Sequence, residues 1–345
     1  MKFTARKVAH DLGVSTATVS LAMNNRPGVN EETKKRVMDY IKLLQVDYET
    51  AETDGKSLKV LLFTRGDYLE DYRGKPHTNE FLQTDCAHIC RLLQEHGMSL
   101  KLNYASSVEE IERVVLESET DGTIGILLYF DEAPGDILNN LHESKIPLIM
   151  YDAPLPEGRN DCDVINLHDV QAVNMAMNYL RKCGHENIAY FYNEGSYYNF
   201  VTRRNAFRLY MEQWKGKVQD GQMHQVSTCN DCRESDIEKY FNSIDKLPDA
   251  ILSENYAISL ALMRVINKRN LKVPEEISVL GIDDPSFYAY TDIDYTCIEV
   301  PIYERHTVMM KHLLERLNEK EHCPVEILLG MKLKIQNTVK DKSIV

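Results

Sequence analysis

Beyond residue 58 the chain alternates short apolar runs with stretches of helical periodicity. The runs Leu58–Thr64, Leu100–Tyr104, Ile124–Tyr129, Pro147–Tyr151, Val164–Asn166, Ile188–Tyr192, Gln222–Val226, Ala250–Ser253 and Ile277–Ile282 read as strands. Between most of them, apolar residues recur at a 3.6-residue period, which predicts helices over Phe81–His96, Val108–Glu119, Val170–Cys183, Phe200–Lys215, Asp236–Ser243, Ala257–Asn270 and Ile302–Glu319. Strand–helix alternation predicts an α/β fold with parallel sheets covered by helices on both faces. So many strands divide more naturally between two lobes than into one sheet.

The first 46 residues follow a different rule. Thr4 is placed to cap a helix at about Ala5–Leu12, and Gly13 ends it with a residue that adopts a left-handed turn cheaply. Ser15 caps a second helix, Thr16–Met23, with Val19 and Met23 turned inward. Asn30, with Glu31 and Glu32 in the first turn, opens a third whose apolar stripe is Val37, Ile41 and Leu44. Ala9, Gly13 and Val19 supply a small contact residue, a turn and an apolar anchor, the demands of two helices crossing steeply. This spacing predicts a helix-turn-helix, although alone it also suits an ordinary three-helix bundle.

Charge separates the same two regions. The chain carries a formal net charge of −13, which would disfavour nucleic acid if it were spread evenly. Residues 1–46 hold eight basic side chains (Lys2, Arg6, Lys7, Arg26, Lys34, Lys35, Arg36, Lys42) against four acidic ones (Asp11, Glu31, Glu32, Asp39), a net of +4, and so the remainder carries −17. A basic head on an acidic body directs the head toward DNA. No apolar run approaches the ~20 residues of a membrane-spanning helix, and Met1–Ser20 lacks the apolar core of a secretory signal, so the expected location is cytoplasmic. Eight scattered cysteines form no disulfide framework. Cys229 and Cys232 have the spacing of half a zinc site or a redox pair, without a second half to complete it. Neither metal nor cofactor is expected.

The stretch Val8-Ala9-His10-Asp11-Leu12-Gly13-Val14-Ser15-Thr16-Ala17-Thr18-Val19-Ser20-Leu21-Ala22-Met23-Asn24, and Val29–Val37 after it, resembles the signature of the LacI/GalR family of transcriptional regulators. The resemblance implies that the helix Thr16–Asn24 reads an operator in double-stranded DNA. Thr16, Ala17 and Leu21 would then meet base edges, while Thr4, Ser15, Thr18, Ser20, Asn24 and Asn25 are short polar groups suited to the backbone. Family members usually continue with a hinge helix that wedges a leucine into the minor groove. Residues 47–57 here contain neither the Pro-Asn nor the Ala-Arg-x-Leu that builds it, which predicts a polar tether instead.

The body, 58–345, resembles the periplasmic-binding-protein-like sensor domain of the same family, through Glu119-Thr120-Asp121-Gly122, Ile146–Ile149, Cys183–Ala189 and Ile277–Asp284. That resemblance implies a homodimer and an effector held between two lobes, at the C-terminal ends of the strands. The effector positions map onto Asp152, Arg203, Asn255 and Asp283, with Tyr192 and Phe200 supplying aromatic faces. Carboxylates and an arginine fork suit the hydroxyls of a sugar-like small molecule. Competing roles are helix capping for the two aspartates, Arg204 facing the cleft in place of Arg203, and simple packing for the aromatics. The loop Asp67–Thr78, longer than usual, opens at the cleft mouth. The expected function is a sequence-specific DNA-binding regulator modulated by a sugar. A non-sugar metabolite such as a purine is the alternative effector. A carbohydrate-active enzyme using Asp152 and Asp283 is a third reading, unsupported by any further catalytic motif.

Overall fold

The computed structural model describes residues 14–23, 28–29, 33–34, 37, 55–63, 80–130, 137–138, 141–218, 221–284, 294–319 and 322–343. The expected first helix, most of the third, Thr4, Asn24, Asn25, tether residues 47–54 and the loop Asp67–Thr78 lie outside them.

In the head, helix α1 spans Thr16–Met23. Ser15 starts it as predicted, since its Oγ accepts the Thr18 amide at 3.0 Å. Val19, Ala22 and Val37 are buried, as the anchor role of Val19 requires.

The body contains two six-stranded sheets. The first is built from β1 (Ser57–Phe63), β2 (Ser99–Ala105), β3 (Thr123–Phe130), β4 (Leu148–Tyr151), β5 (Cys162–Leu167) and β11 (Glu326–Leu329), ordered β11-β5-β4-β3-β1-β2 and parallel at every pairing. The second comprises β6 (Ile188–Asn193), β7 (Met223–Val226), β8 (Ala250–Ser253), β9 (Ser278–Ile282), β10 (Cys297–Glu299) and β12 (Lys332–Lys334), ordered β12-β10-β9-β8-β6-β7, with β12 alone antiparallel. Helices α2 (Glu80–Glu95), α3 (Val108–Ser118) and α8 (Ile302–Arg316) cover the first sheet. The second is covered by α4 (Asp169–Lys182), α5 (Tyr198–Lys215), α6 (Asn230–Ser243) and α7 (Tyr256–Lys268).

The apolar runs are continuous because both faces of each sheet are buried. Along β3, Ile126 and Leu128 join the cluster under α3, while Leu127 joins the cluster under α2 and α8. In the second lobe Ala250, Leu252, Leu280 and Ile282 face α4 and α5, and Ile251 and Val279 face α6 and α7.

The chain crosses between lobes three times, after β5, after β10 and after β11. The C-terminal ends of the parallel strands thus open toward the crossings, where a doubly wound sheet places its ligands.

Several boundaries differ from the sequence reading. Ser57, expected in the tether, is the first residue of β1 and is buried. β5 extends the expected Val164–Asn166 in both directions across Asp163, a polar residue that masks the run. Its carboxylate is buried, with His312 Nε2 at 2.9 Å, Arg316 Nε at 3.0 Å and His322 Nε2 at 2.7 Å. α6 begins at Asn230 rather than Asp236, because its polar first turns carry no apolar periodicity. β10, β11 and β12 are absent from the sequence reading: each is three or four residues long and includes a charged residue (Glu299, Glu326, or Lys332 and Lys334), which leaves no apolar run to read.

Candidate ligand cleft and DNA-reading helix

Asp152 follows β4 with φ of 51°, a left-handed backbone that a non-glycine residue holds only when its surroundings fix it. What fixes it is Arg305, on the first turn of α8. Nη1 donates to Oδ1 and Nη2 to Oδ2, each at 3.1 Å. The guanidinium lies 3.8 Å from the centroid of the Tyr151 ring. Asp152 caps no helix, and its side chain is a quarter exposed, whereas that of Arg305 is 3% exposed.

Arg203 points inward from α5 and is buried. Its Nε donates to Asp169 Oδ1 at 2.6 Å and its Nη1 to the Glu254 carbonyl at 2.8 Å. Burial pushes the Asp169 carboxyl up to about 6, against the opposing pull of Arg203. Arg204 is engaged differently: Nη2 donates to the Gly195 carbonyl at 2.7 Å, and the guanidinium stands 5.3 Å from the Tyr192 ring. Of the two arginines, Arg203 is the buried one.

Asn255 is the N-cap of α7, its Oδ1 accepting the Ile258 amide at 3.1 Å. Capping therefore explains half of this side chain. Its Nδ2 is buried with no hydrogen-bond partner, as is Asn193 Oδ1 at the end of the adjacent strand β6. Asp283, after β9, has φ of 81° and accepts the Asp284 amide on Oδ1. It lines a cavity of about 250 Å³ with Glu299, Pro301, Gly330 and Lys332, at the second and third crossings. Half-buried Tyr192 stacks on Tyr190 with centroids 6.2 Å apart, and the Phe200 ring lies 5.6 Å from the Arg203 guanidinium.

Asp152, Asp169, Arg203 and Arg305 form one electrostatic group, with Asp283 acting on Arg203. The sequence reading missed the partners Asp169 and Arg305, and also Glu254. Glu254 is fully buried at the end of β8, accepting from Tyr190 Oη at 3.1 Å and the Asn193 amide at 3.0 Å. Burial pushes its carboxyl up to about 7, opposed chiefly by Arg204. The acid immediately before Asn255 at a strand end was its only signal in the sequence.

On α1, Thr16 and Ser20 are exposed and Thr18 is half-buried, while Ser15 Oγ is committed to the cap. Leu21 is half-buried, and a β-carbon on Gly28 would stand 3.4 Å from its Cδ1, so only part of Leu21 can face outward. The Ala17 and Met23 side chains lie outside the described residues. Among the described residues no group of three or more His, Cys, Asp or Glu is placed to hold a metal, and no helix is long and apolar enough to cross a membrane.

Residues 4–49 match the model for bacterial regulatory proteins of the lacI family, and residues 177–339 match a periplasmic binding protein-like domain. The chain is 26% identical to the HTH-type transcriptional repressor PurR of Pasteurella multocida (strain Pm70) over 98% of this chain and 99% of that one. Its fold is similar to that of the lac repressor dimer bound to operator and the anti-inducer ONPF, with a TM-score of 0.65 and 18% identity over 99% and 100% of the two chains. It is likewise similar to a transcriptional regulator CelR–cellobiose complex, with a TM-score of 0.62 and 20% identity over 98% and 100%. The chain thus carries a DNA-binding domain of the bacterial lacI regulatory family followed by a periplasmic binding protein-like domain, and it is similar along its whole length to proteins named as HTH-type transcriptional repressors.

Proposed function

We propose that this protein is a repressor, a cytoplasmic homodimer that binds a roughly palindromic operator in double-stranded DNA and is modulated by a sugar or sugar derivative held between its lobes. Asp152, Tyr192, Phe200, Arg203, Asn255 and Asp283 are the proposed effector residues. The observation that carries the reading is the acceptor-rich group at the strand ends. Asp152 is part-exposed and Asp283 lines the cavity at the crossings, and each offers carboxylate oxygens to hydroxyl donors. The similarity in fold to a CelR–cellobiose complex supports a carbohydrate guest. Lobe movement about the three crossings would change the spacing of the two heads, each presenting Thr16, Ala17, Thr18, Ser20 and Leu21 to DNA, with Thr4, Ser15, Asn24 and Asn25 completing the proposed contacts.

A purine-like guest is the second reading, favoured by the PurR relative and by the half-buried Tyr192 and Phe200 faces on which a base could stack. Melting curves of the full-length protein with a panel of mono- and disaccharides and of nucleobases separate the two. Stabilisation that grows with ligand concentration identifies the guest. A response to bases and to no saccharide overturns the sugar reading. Binding-site selection on random duplex DNA tests the head, and failure to enrich any duplex overturns the operator claim.

A further inference from the structure

We propose that Arg305 is a specificity-determining residue of the cleft. Its fork holds Asp152 so that the carboxylate presents only acceptor sites for a pair of hydroxyls, which makes the cleft selective for neutral polyols over their carboxylated counterparts. This rests on the reading of Asp152 as an effector residue.

A carboxylate has about four lone-pair sites, two on each oxygen. Nη1 and Nη2 of Arg305 each occupy one, on Oδ1 and Oδ2 respectively, both at 3.1 Å. One site on each oxygen remains, separated as two neighbouring hydroxyls require. The guanidinium itself is 3% exposed and the carboxylate 25%, so an incoming molecule meets the acid and not the base. An anionic group at this point would face a like charge, and the Arg305 N–H groups not spent on Asp152 belong to a side chain that is only 3% exposed.

The fork is also rigid. Arg305 lies against the buried Tyr151 ring, whose hydroxyl stands 3.1 Å from His306 Nδ1, the next residue on α8. The Arg305 amide donates to the Pro301 carbonyl at 2.9 Å, tying it to the second lobe crossing. The other cleft pair lacks this two-pronged form, since Arg203 meets Asp169 through Nε alone and spends Nη1 on a main-chain carbonyl.

The test uses the full-length protein, with titration calorimetry and melting curves for D-glucose against D-glucuronate and D-galactose against D-galacturonate. In at least one pair the wild type is expected to bind the neutral sugar about tenfold tighter than the acid. Arg305→Lys, which keeps the charge and loses the fork, should erase that preference. Asp152→Ala empties the fork and should turn preference toward the acid. In a second arm without sugar, formate should raise the melting temperature of Asp152→Ala above chloride at equal ionic strength. It should have no such effect on Asp152→Ala/Arg305→Met. Wild-type preference for the acids, an unchanged preference in Arg305→Lys, or no formate response in Asp152→Ala overturns the proposal. If none of the four sugars acts on the wild type although formate rescues Asp152→Ala, the fork stands, and the sugar reading falls only if the wider saccharide panel is silent as well.

Discussion

Asp169 Oδ1 stands 2.6 Å from Arg203 Nε, and both side chains are buried. The arginine at the cleft is therefore held by a carboxylate from α4, the first element after the chain passes into the second lobe. Removing one partner of a buried pair strands the other charge. Asp169→Ala should lower unfolding stability by about 3–5 kcal/mol, measured by urea denaturation. A loss below about 1 kcal/mol would mean that Arg203 finds solvent or another acceptor.

Glu254 gives the cleft a pH signature. Its folded-state value is raised from 4.5 to about 7, so the folded protein binds this proton more tightly than the unfolded chain does. The stabilisation from the protonated group is complete below pH 4.5 and is lost as pH rises through 7. Glu254→Gln should remove that dependence. Relative to the variant, the wild type should lose on the order of 3 kcal/mol between pH 4.5 and 7. Asp169 acts in the same direction with its loss centred on about 6, but it is common to both proteins and cancels in their difference. Parallel stability–pH curves for the two proteins would refute the assignment.

Gly281 on β9 has no room for a side chain. A β-carbon there would lie 2.5 Å from Ser259 Oγ, 2.9 Å from Tyr295 Cε1 and 3.0 Å from Ser253 Oγ. Ser253 and Ser259 are hydrogen-bonded to each other at 2.7 Å, so neither moves freely. Gly281→Ala should cost about 1–3 kcal/mol by overpacking, read as a lowered midpoint in thermal denaturation. It should also weaken effector binding, because Asp283 lies two residues beyond. An unchanged melting temperature would show that β9 can shift to accept the methyl group.

In the head, Ser15→Ala removes the oxygen that accepts the Thr18 amide. Loss of an N-cap costs about 1 kcal/mol, and α1 has only eight residues over which to absorb it. Operator affinity in a gel-shift titration should fall several-fold, while Ser15→Asp, which caps equally well, should restore helix stability but repel phosphate. If Ser15→Asp binds DNA as tightly as the wild type while Ser15→Ala does not, capping and not charge governs this position.

Much of the architecture was legible because local rules and global packing agree. Runs such as Ile124–Tyr129 are apolar throughout since a parallel strand is buried on both faces, and the amphipathic stretches between them pack on those faces. Ser15 was readable as a cap because capping is a local contact between a side chain and an amide three residues on. Asp163 hid part of β5, because a buried carboxylate looks like a loop residue until His312, Arg316 and His322, about 150 residues later, are brought to it.

The sequence by itself determined the basic head, the alternation of strands and helices, and the strand-end positions of Asp152, Asn255 and Asp283. Each follows from spacing along the chain or from a motif a few residues long. Only the tertiary structure decided what those residues face. Arg305 reaches Asp152 from 153 positions away, and Asp169 reaches Arg203 across 34. Such partners obey no periodicity: Arg305 meets Asp152 because the chain returns to the first lobe after β10, Asp169 meets Arg203 because α4 and α5 pack side by side on the second sheet, and a buried charge must find its counter-charge wherever the fold carries it.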